Sequence, residues 1–112
     1  ADAIFPEGLT DEQEFERFRQ AMPKVPLLAN MTEFGKTPLI PFSRFAEIGY
    51  DLVIFPNAAF RIVLKAMMDT YSELLAKGTQ ADMIERMWTR KQLYELVGYE
   101  EFEARDQKWS GS

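Results

Sequence analysis

Cysteine and histidine are both absent from the 112 residues of this chain. Without cysteine the chain has no disulfides, thiolate nucleophiles or thiolate metal sites, which fits a reducing compartment. Without histidine it has no His-based catalytic triad, no zinc site with His ligands and no usual general base near neutral pH. These two absences exclude several common kinds of catalytic centre from this segment.

Long apolar runs are also missing, since none approaches the roughly 18 residues that cross a bilayer, and no signal-peptide pattern opens the chain. We therefore expect a soluble, cytoplasmic chain with no membrane partner. The formal net charge of −5 gives no general attraction for nucleic acid. The chain does not begin with Met and ends in Ser-Gly-Ser, so we expect a piece of a longer protein.

What is present is ordinary globular content, with 46% hydrophobic and 13% aromatic residues, which excludes disorder as the main state. Three apolar runs recur about every 25 residues, and a helical pattern follows each run. The spacing predicts strands at 2–5, 25–29 and 52–55. It predicts helices at 11–21, capped by Thr10, at 42–48, ended by Gly49, and from Asn57 to Gly78.

This alternation is typical of βα units in a parallel sheet. A (β/α)8 barrel needs about 250 residues, so residues 1–78 correspond to about three of its eight units. Residues 79–112 then form a helical extension. A complete small α/β domain is the alternative.

The helical extension contains two predicted helices and a charged tail. The helices lie at 80–88 and 90–97, and the second opens with the capping-box pattern of Thr89 and Gln92. The tail covers 99–109. Methionines at helical spacing are predicted to fill the core, namely Met67, Met68, Met83 and Met87.

Polar residues follow each predicted strand, where parallel α/β proteins bind ligands. Glu7 is expected to be partly desolvated and to accept a substrate hydroxyl or hold a metal-bound water; the alternative is a solvated loop carboxylate. The loop that begins at Asn30 suits a small oxygen-rich ligand, or else forms an Asx-turn.

Two arginines raise the question of an anionic ligand. Arg61 lies in the first turn of the long helix, where its charge opposes the helix dipole, and Arg90 opens the last predicted helix. Guanidinium groups bind carboxylates through paired hydrogen bonds, so two that converge would favour a di- or tricarboxylate. The alternative is a pair of surface arginines.

At residues 26–38, PLLANMTEFGKTP closely resembles the signature of 2-methylisocitrate lyases, within the isocitrate lyase and phosphoenolpyruvate mutase superfamily. The match runs in order from residue 1 to about 103. The flanking matches are AIFPE at 3–7, GYDLVIFP at 49–56, Arg61, GTQ at 78–80, Thr89-Arg90 and LYE at 93–95.

The resemblance implies the C-terminal part of a (β/α)8 TIM barrel, namely its last three βα units and the extra helices beyond. It implies a homo-oligomer whose subunits exchange these helices, and a C–C lyase of propionate metabolism. The family cleaves 2-methylisocitrate to pyruvate and succinate with Mg²⁺, whose ligands are expected in the earlier barrel units. The chain alone is expected to be inactive.

The resemblance also implies a set of substrate-binding residues and no catalytic or metal residue in this segment. Those binding residues are Glu7, Asn30, Met31, Thr32, Arg61 and Arg90. The sequence departs from the family at Trp88 and at Asn57-Ala58. Dimethylmalate lyases, oxaloacetate hydrolases and phosphonopyruvate-type enzymes therefore remain alternatives, as does a non-catalytic assembly module.

Overall fold

The computed structural model describes residues 1–111, in which helices and short strands alternate along the chain. In chain order the elements are α1 (Glu12–Ala21), β1 (Leu28–Asn30), α2 (Phe42–Ile48), β2 (Leu52–Ile54), α3 (Ala58–Lys77), a 3-10 helix (Ala81–Arg86), α4 (Arg90–Val97) and α5 (Tyr99–Ser110). The chain divides into two compact units, one ending at Asp69 and the other beginning at Thr70. No helix in the described part combines the length and the apolar content needed to cross a membrane.

The two strands of the first unit pair in parallel. Leu28 lies opposite Leu52, and Asn30 lies opposite Ile54. Helix α2 connects the strands, as a parallel pair requires. The α/β class predicted from the sequence is therefore confirmed, with both strands shorter than predicted.

The predicted strand at 2–5 is wrong, because Ile4 forms only one parallel bridge, to Leu27. To extend this bridge in either direction, the backbone N–H group of the next hydrogen-bonding residue must donate to the neighbouring segment. Here those residues are Pro6 on one side of the bridge and Pro26 on the other, and proline has no N–H to donate. The segment therefore runs beside β1 without forming a strand.

Helix α1 begins one residue later than predicted, so the predicted Thr10 cap is wrong. Oδ1 of Asp11 accepts a 2.8 Å hydrogen bond from the backbone N–H of Glu14, and the Glu14 carboxylate accepts one of 2.6 Å from the N–H of Thr10. A carboxylate at this position also interacts favourably with the helix dipole, which a hydroxyl does not. Helix α2 ends as predicted, at Gly49 with a φ of 99°.

Three aromatic rings form the centre of the first unit's core. Phe15 of α1, Phe45 of α2 and Tyr50, which precedes β2, meet edge to face with centroids 5.0 to 5.6 Å apart. The Tyr50 hydroxyl donates a 3.3 Å hydrogen bond to the carbonyl oxygen of Phe15. Burial raises the pKa of Tyr50 to about 12. This packing fixes both helices against the sheet.

An arginine and an aspartate connect the helix ends to β1. Arg19 donates a 3.0 Å hydrogen bond to the carbonyl oxygen of Gly49, and its Nη1 lies 3.5 Å from Oδ2 of Asp51. That same Oδ2 accepts a 2.9 Å hydrogen bond from the N–H of Leu27, a residue only 1% exposed. These bonds hold β1 in register beside the end of α2.

The methionine predictions are confirmed at one position out of four. Met83 is buried, whereas Met67, Met68 and Met87 are exposed, and α3 has no buried residue along its length. Apolar spacing identifies an apolar face, but burial requires an element packed on that face. The predicted helix at 80–88 is a shorter 3-10 helix.

The second unit ends in two consecutive helices, of which only the first is predicted. Helix α4 has the predicted capping box between Thr89 and Gln92, and Gly98 ends it with a φ of 65°. The segment treated as a charged tail is helix α5 instead. Glu100 and Glu101 lie in its first turn, where the helix dipole favours acidic residues, and Tyr99 donates a 3.1 Å hydrogen bond to Glu103 one turn later.

Candidate functional site

A small cavity lies at the carboxyl edge of the first unit's parallel segments. It has a volume of about 80 Å³ and is lined by Glu7, Asn30, Thr32 and Thr37, among others. Asn30 ends β1, and Glu7 lies shortly after the Ile4 bridge. Because these segments run in parallel, their carboxyl ends leave the sheet on the same side. The structure thus brings together three of the predicted binding residues.

Asn30 and Thr32 are hydrogen-bonded to each other. The Thr32 hydroxyl donates a 2.9 Å hydrogen bond to Oδ1 of Asn30, and both residues are half-buried. The amide nitrogen Nδ2 forms no hydrogen bond within the described residues. The amide therefore presents two N–H donors to an incoming acceptor oxygen.

Met31 lies between these two residues but faces the core. It is 2% exposed, its N–H donates a 2.9 Å hydrogen bond to the carbonyl oxygen of Ile54, and its Sδ lies 3.4 Å from the N–H of Ile40. Both its side chain and its N–H group are therefore used by the fold. The Met31 side chain is therefore not part of the cavity wall.

Glu7 is exposed, so the expected partial desolvation is not found within this chain. Its carboxylate forms no hydrogen bond or ion pair with another described residue, although it lines the cavity. A free carboxylate at this edge is an acceptor for a hydroxyl or N–H group of a ligand.

Arg61, the fourth residue of α3, contacts the loop that follows β1. Its Nε lies 3.3 Å from Oε2 of Glu33, and its guanidinium carbon lies 5.2 Å from the centroid of the Phe34 ring. The Glu33 charge offsets the unfavourable placement of a cation near a helix N-terminus. Arg61 lines a different, open groove of about 660 Å³ beside α3, and it is not among the residues that line the Glu7 cavity.

Arg90 belongs to the second unit, where it is the first residue of α4. It lines a groove of about 620 Å³ between α4 and α5. Neighbouring side chains in this groove are Lys91, Tyr94, Glu95, Glu100 and Glu101. The groove thus carries charges of both signs, and Arg90 is exposed within it.

Three residues of the loop after β1 contribute contacts that the sequence does not reveal. Glu33 and Phe34 hold Arg61, and the Thr37 hydroxyl donates a 2.5 Å hydrogen bond to the carbonyl oxygen of Leu9. That bond joins the two segments that form the cavity wall. From the sequence alone one can expect an acidic residue to pair with Arg61. The sequence does not show which of its acidic residues forms the pair.

A metal site is not assembled from the described residues, in which no three acidic side chains converge. Glu7 is the single carboxylate on the wall of the small cavity as the structure describes it. Mg²⁺ prefers six oxygen ligands in octahedral geometry, and one carboxylate beside an amide and two hydroxyls does not form such a set. These residues therefore do not fit a metal centre by themselves.

The chain aligns with known proteins along nearly its whole length. It is 51% identical to 2-methylisocitrate lyase of Aeropyrum pernix and 44% identical to that of Bacillus subtilis, in each case over 95% of this chain. These alignments cover 34% and 35% of the relatives, so the chain spans about a third of their length.

A solved structure agrees with the sequence comparison. The crystal structure of 2,3-dimethylmalate lyase, a member of the PEP mutase/isocitrate lyase superfamily, superposes with a TM-score of 0.82 and 30% identity. The match covers 96% of this chain and 37% of that one. No protein-family model matches the chain. The chain is therefore homologous to about one third of the length of the 2-methylisocitrate lyases, and its fold is similar to part of a member of the PEP mutase/isocitrate lyase superfamily.

Proposed function

We propose that this chain is the substrate-binding part of a carbon–carbon lyase that cleaves 2-methylisocitrate to pyruvate and succinate. The observation that carries the proposal is the shared cavity of Glu7, Asn30 and Thr32 at the carboxyl edge of the parallel segments. The identity with relatives named for this activity supports it, as does the position of three of the six predicted binding residues on the cavity wall.

Each residue has a role that its chemistry allows. Glu7 accepts a hydrogen bond from the substrate hydroxyl, and Nδ2 of Asn30 donates to a carboxylate oxygen. The guanidinium groups of Arg61 and Arg90 bind carboxylates, which the substrate carries three times. The residues of this chain thus bind and orient the substrate before the bond breaks.

The rest of the enzyme lies outside this chain in the proposal. We assign the chain to the last three βα units of a TIM barrel and the helices beyond, and expect the earlier units to hold Mg²⁺. The metal would supply charge stabilisation at the hydroxy-acid end of the substrate. The exposed apolar residues along α3 favour a homo-oligomer, and we propose a cytoplasmic location.

The test is a product analysis of the complete protein that contains this chain. Purified protein is incubated with Mg²⁺ and 2-methylisocitrate, 2,3-dimethylmalate or oxaloacetate, and the products are quantified. The proposal predicts equal amounts of pyruvate and succinate from the first compound and loss of turnover when a chelator removes the metal. Faster turnover of either other compound would assign the chain to another activity in the superfamily.

An assembly role is the second candidate, and one observation favours it. Helix α3 is 20 residues long, carries several large apolar side chains and buries none of them within the described chain. Such an apolar surface is typical of a helix that packs against another subunit or domain. Sedimentation of the 112-residue chain separates the two roles: self-association without any turnover by the complete protein favours assembly.

A further inference from the structure

We propose that Glu33 and Phe34 position Arg61 so that its guanidinium group binds one carboxylate of the substrate. This inference rests on the proposed function and adds two residues to the site. Neither of them touches the substrate in the proposal; both act through Arg61.

The two contacts restrain the guanidinium group from different directions. Oε2 of Glu33 lies 3.3 Å from Nε, on one edge of the planar group. The Phe34 ring lies 5.2 Å from the central carbon, a distance at which a cation is attracted to an aromatic face. Together they limit both the rotation and the tilt of the Arg61 side chain.

The opposite edge of the guanidinium group stays available. Neither terminal nitrogen of Arg61 donates a hydrogen bond to another described residue, and the side chain is 46% exposed. This edge has the geometry that matches the two oxygens of a carboxylate. An arginine held at Nε and on one face, with its terminal nitrogens free, is prepared to bind such a ligand without further ordering.

The contacts are difficult to explain as packing alone. Phe34 is 91% exposed, so its ring adds little to the core, and its φ of 63° places a bulky residue in the left-handed region. A backbone conformation of this kind is unfavourable for a residue other than glycine and persists where surrounding structure requires it. Oε2 of Glu33 is buried without a hydrogen bond, so Arg61 is its nearby compensating charge.

The position of the pair in the chain connects Arg61 to the cavity. Glu33 and Phe34 directly follow Thr32, which is hydrogen-bonded to Asn30. One loop therefore carries both the cavity residues and the restraints on Arg61. This loop therefore sets the spacing between Asn30 and Arg61, the two residues that would contact one bound ligand.

The experiment compares variants of the complete protein with 2-methylisocitrate as substrate and succinate as competitive inhibitor. Phe34→Leu removes the ring and Phe34→Tyr keeps it, while Glu33→Gln removes the charge. We expect Phe34→Leu and Glu33→Gln to raise KM and the succinate inhibition constant about 3- to 30-fold, with a smaller change in kcat. Phe34→Tyr should behave as wild type.

Matched controls come from α2. Phe42→Leu shortens another exposed aromatic residue, and Glu47→Gln removes another glutamate that pairs with an arginine, Arg44. Neither control should change KM. In an Arg61→Ala background, Phe34→Leu should cause no further loss, because its effect passes through the guanidinium group.

The outcomes separate this inference from the proposed function. If wild type cleaves the substrate and Arg61→Ala raises KM, but Phe34→Leu and Glu33→Gln match wild type, the positioning role is overturned while the function stands. If Phe34→Leu lowers thermal stability with KM unchanged, the residue is structural and the inference fails. Absence of turnover by the wild type would overturn the proposed function, and this inference with it.

Discussion

The hydroxyl of Thr32 donates a hydrogen bond of 2.9 Å to Oδ1 of Asn30 across one intervening residue. The bond determines which end of the amide faces Thr32 and leaves the amide nitrogen as the donor toward the cavity. Met31, between the two, is buried and hydrogen-bonded to the end of β2. The orientation of the amide is thus connected to the register of the sheet.

Substitution of Thr32 tests this relationship. Thr32→Val keeps the shape of the side chain and removes the hydroxyl, so the Asn30 amide loses the bond that orients it. We expect kcat/KM of the complete protein for 2-methylisocitrate to fall about 3- to 10-fold, the value of one hydrogen bond. Thr32→Ser keeps the hydroxyl and should retain most of the activity. Equal activity of the Val and Ser variants would contradict the role of the bond.

Arg90 and its neighbour Lys91 form a natural pair for comparison on α4. Lys91 lies 3.9 Å from Glu95 on the same helix, an exposed ion pair of small value. We expect Arg90→Ala to lower kcat/KM about 100-fold, because a paired guanidinium–carboxylate contact is lost. Lys91→Ala should change it less than about two-fold. Both variants are measured by steady-state kinetics. An equally small effect of the two substitutions would show that Arg90 is a surface arginine that does not bind the substrate.

Asp51 is expected to matter for stability more than its exposure suggests. Asp51→Ala removes the acceptor of the Leu27 N–H, which is then buried without a partner, and also removes the ion pair with Arg19. We expect the free energy of unfolding to fall by about 1 to 3 kcal/mol in urea denaturation. Asp69→Ala, which removes an exposed pair with Lys65, should cost less than about 0.5 kcal/mol.

Tyr50 gives a prediction for alkaline pH. Its pKa is raised to about 12 in the folded chain, against an ordinary value of 10.0, because burial disfavours the phenolate. The unfolded chain therefore loses this proton first, and the stabilisation present below pH 10 is lost as the pH rises from 10 to 12. Tyr50→Phe has no such proton, so its free energy of unfolding should fall less steeply over that range. Parallel slopes would contradict the assignment.

Sequence patterns at helix ends predict those helices that begin or end through contacts between residues close together in the chain. Helix α2 with its Gly49 cap and helix α4 with its Thr89 capping box form where the sequence indicated. The strand at 2–5 failed because its hydrogen bonds depend on the partner segment. Only the register shows that Pro6 and Pro26 occupy the donor positions on either side of the Ile4 bridge.

The site was predictable in its residue types but not in its contacts. The carboxyl-edge rule selected Glu7 and Asn30, which share a cavity, since parallel segments end on one side of a sheet. The contact of Arg61 with Glu33 joins residues far apart in the chain, and it depends on how α3 leaves β2. The helical spacing predicted core positions for Met67 and Met68 of α3, but that spacing does not say what would cover them, and both are exposed.

The central claim is that the Glu7 cavity binds the hydroxy-acid substrate of a lyase. The most direct measurement is the rate at which the complete protein forms pyruvate from 2-methylisocitrate with Mg²⁺, for wild type, Glu7→Gln and the exposed control Glu85→Gln. We predict turnover by wild type and control, and a kcat/KM about 10- to 100-fold lower for Glu7→Gln. Equal rates for all three proteins, or no pyruvate from wild type, would contradict the account.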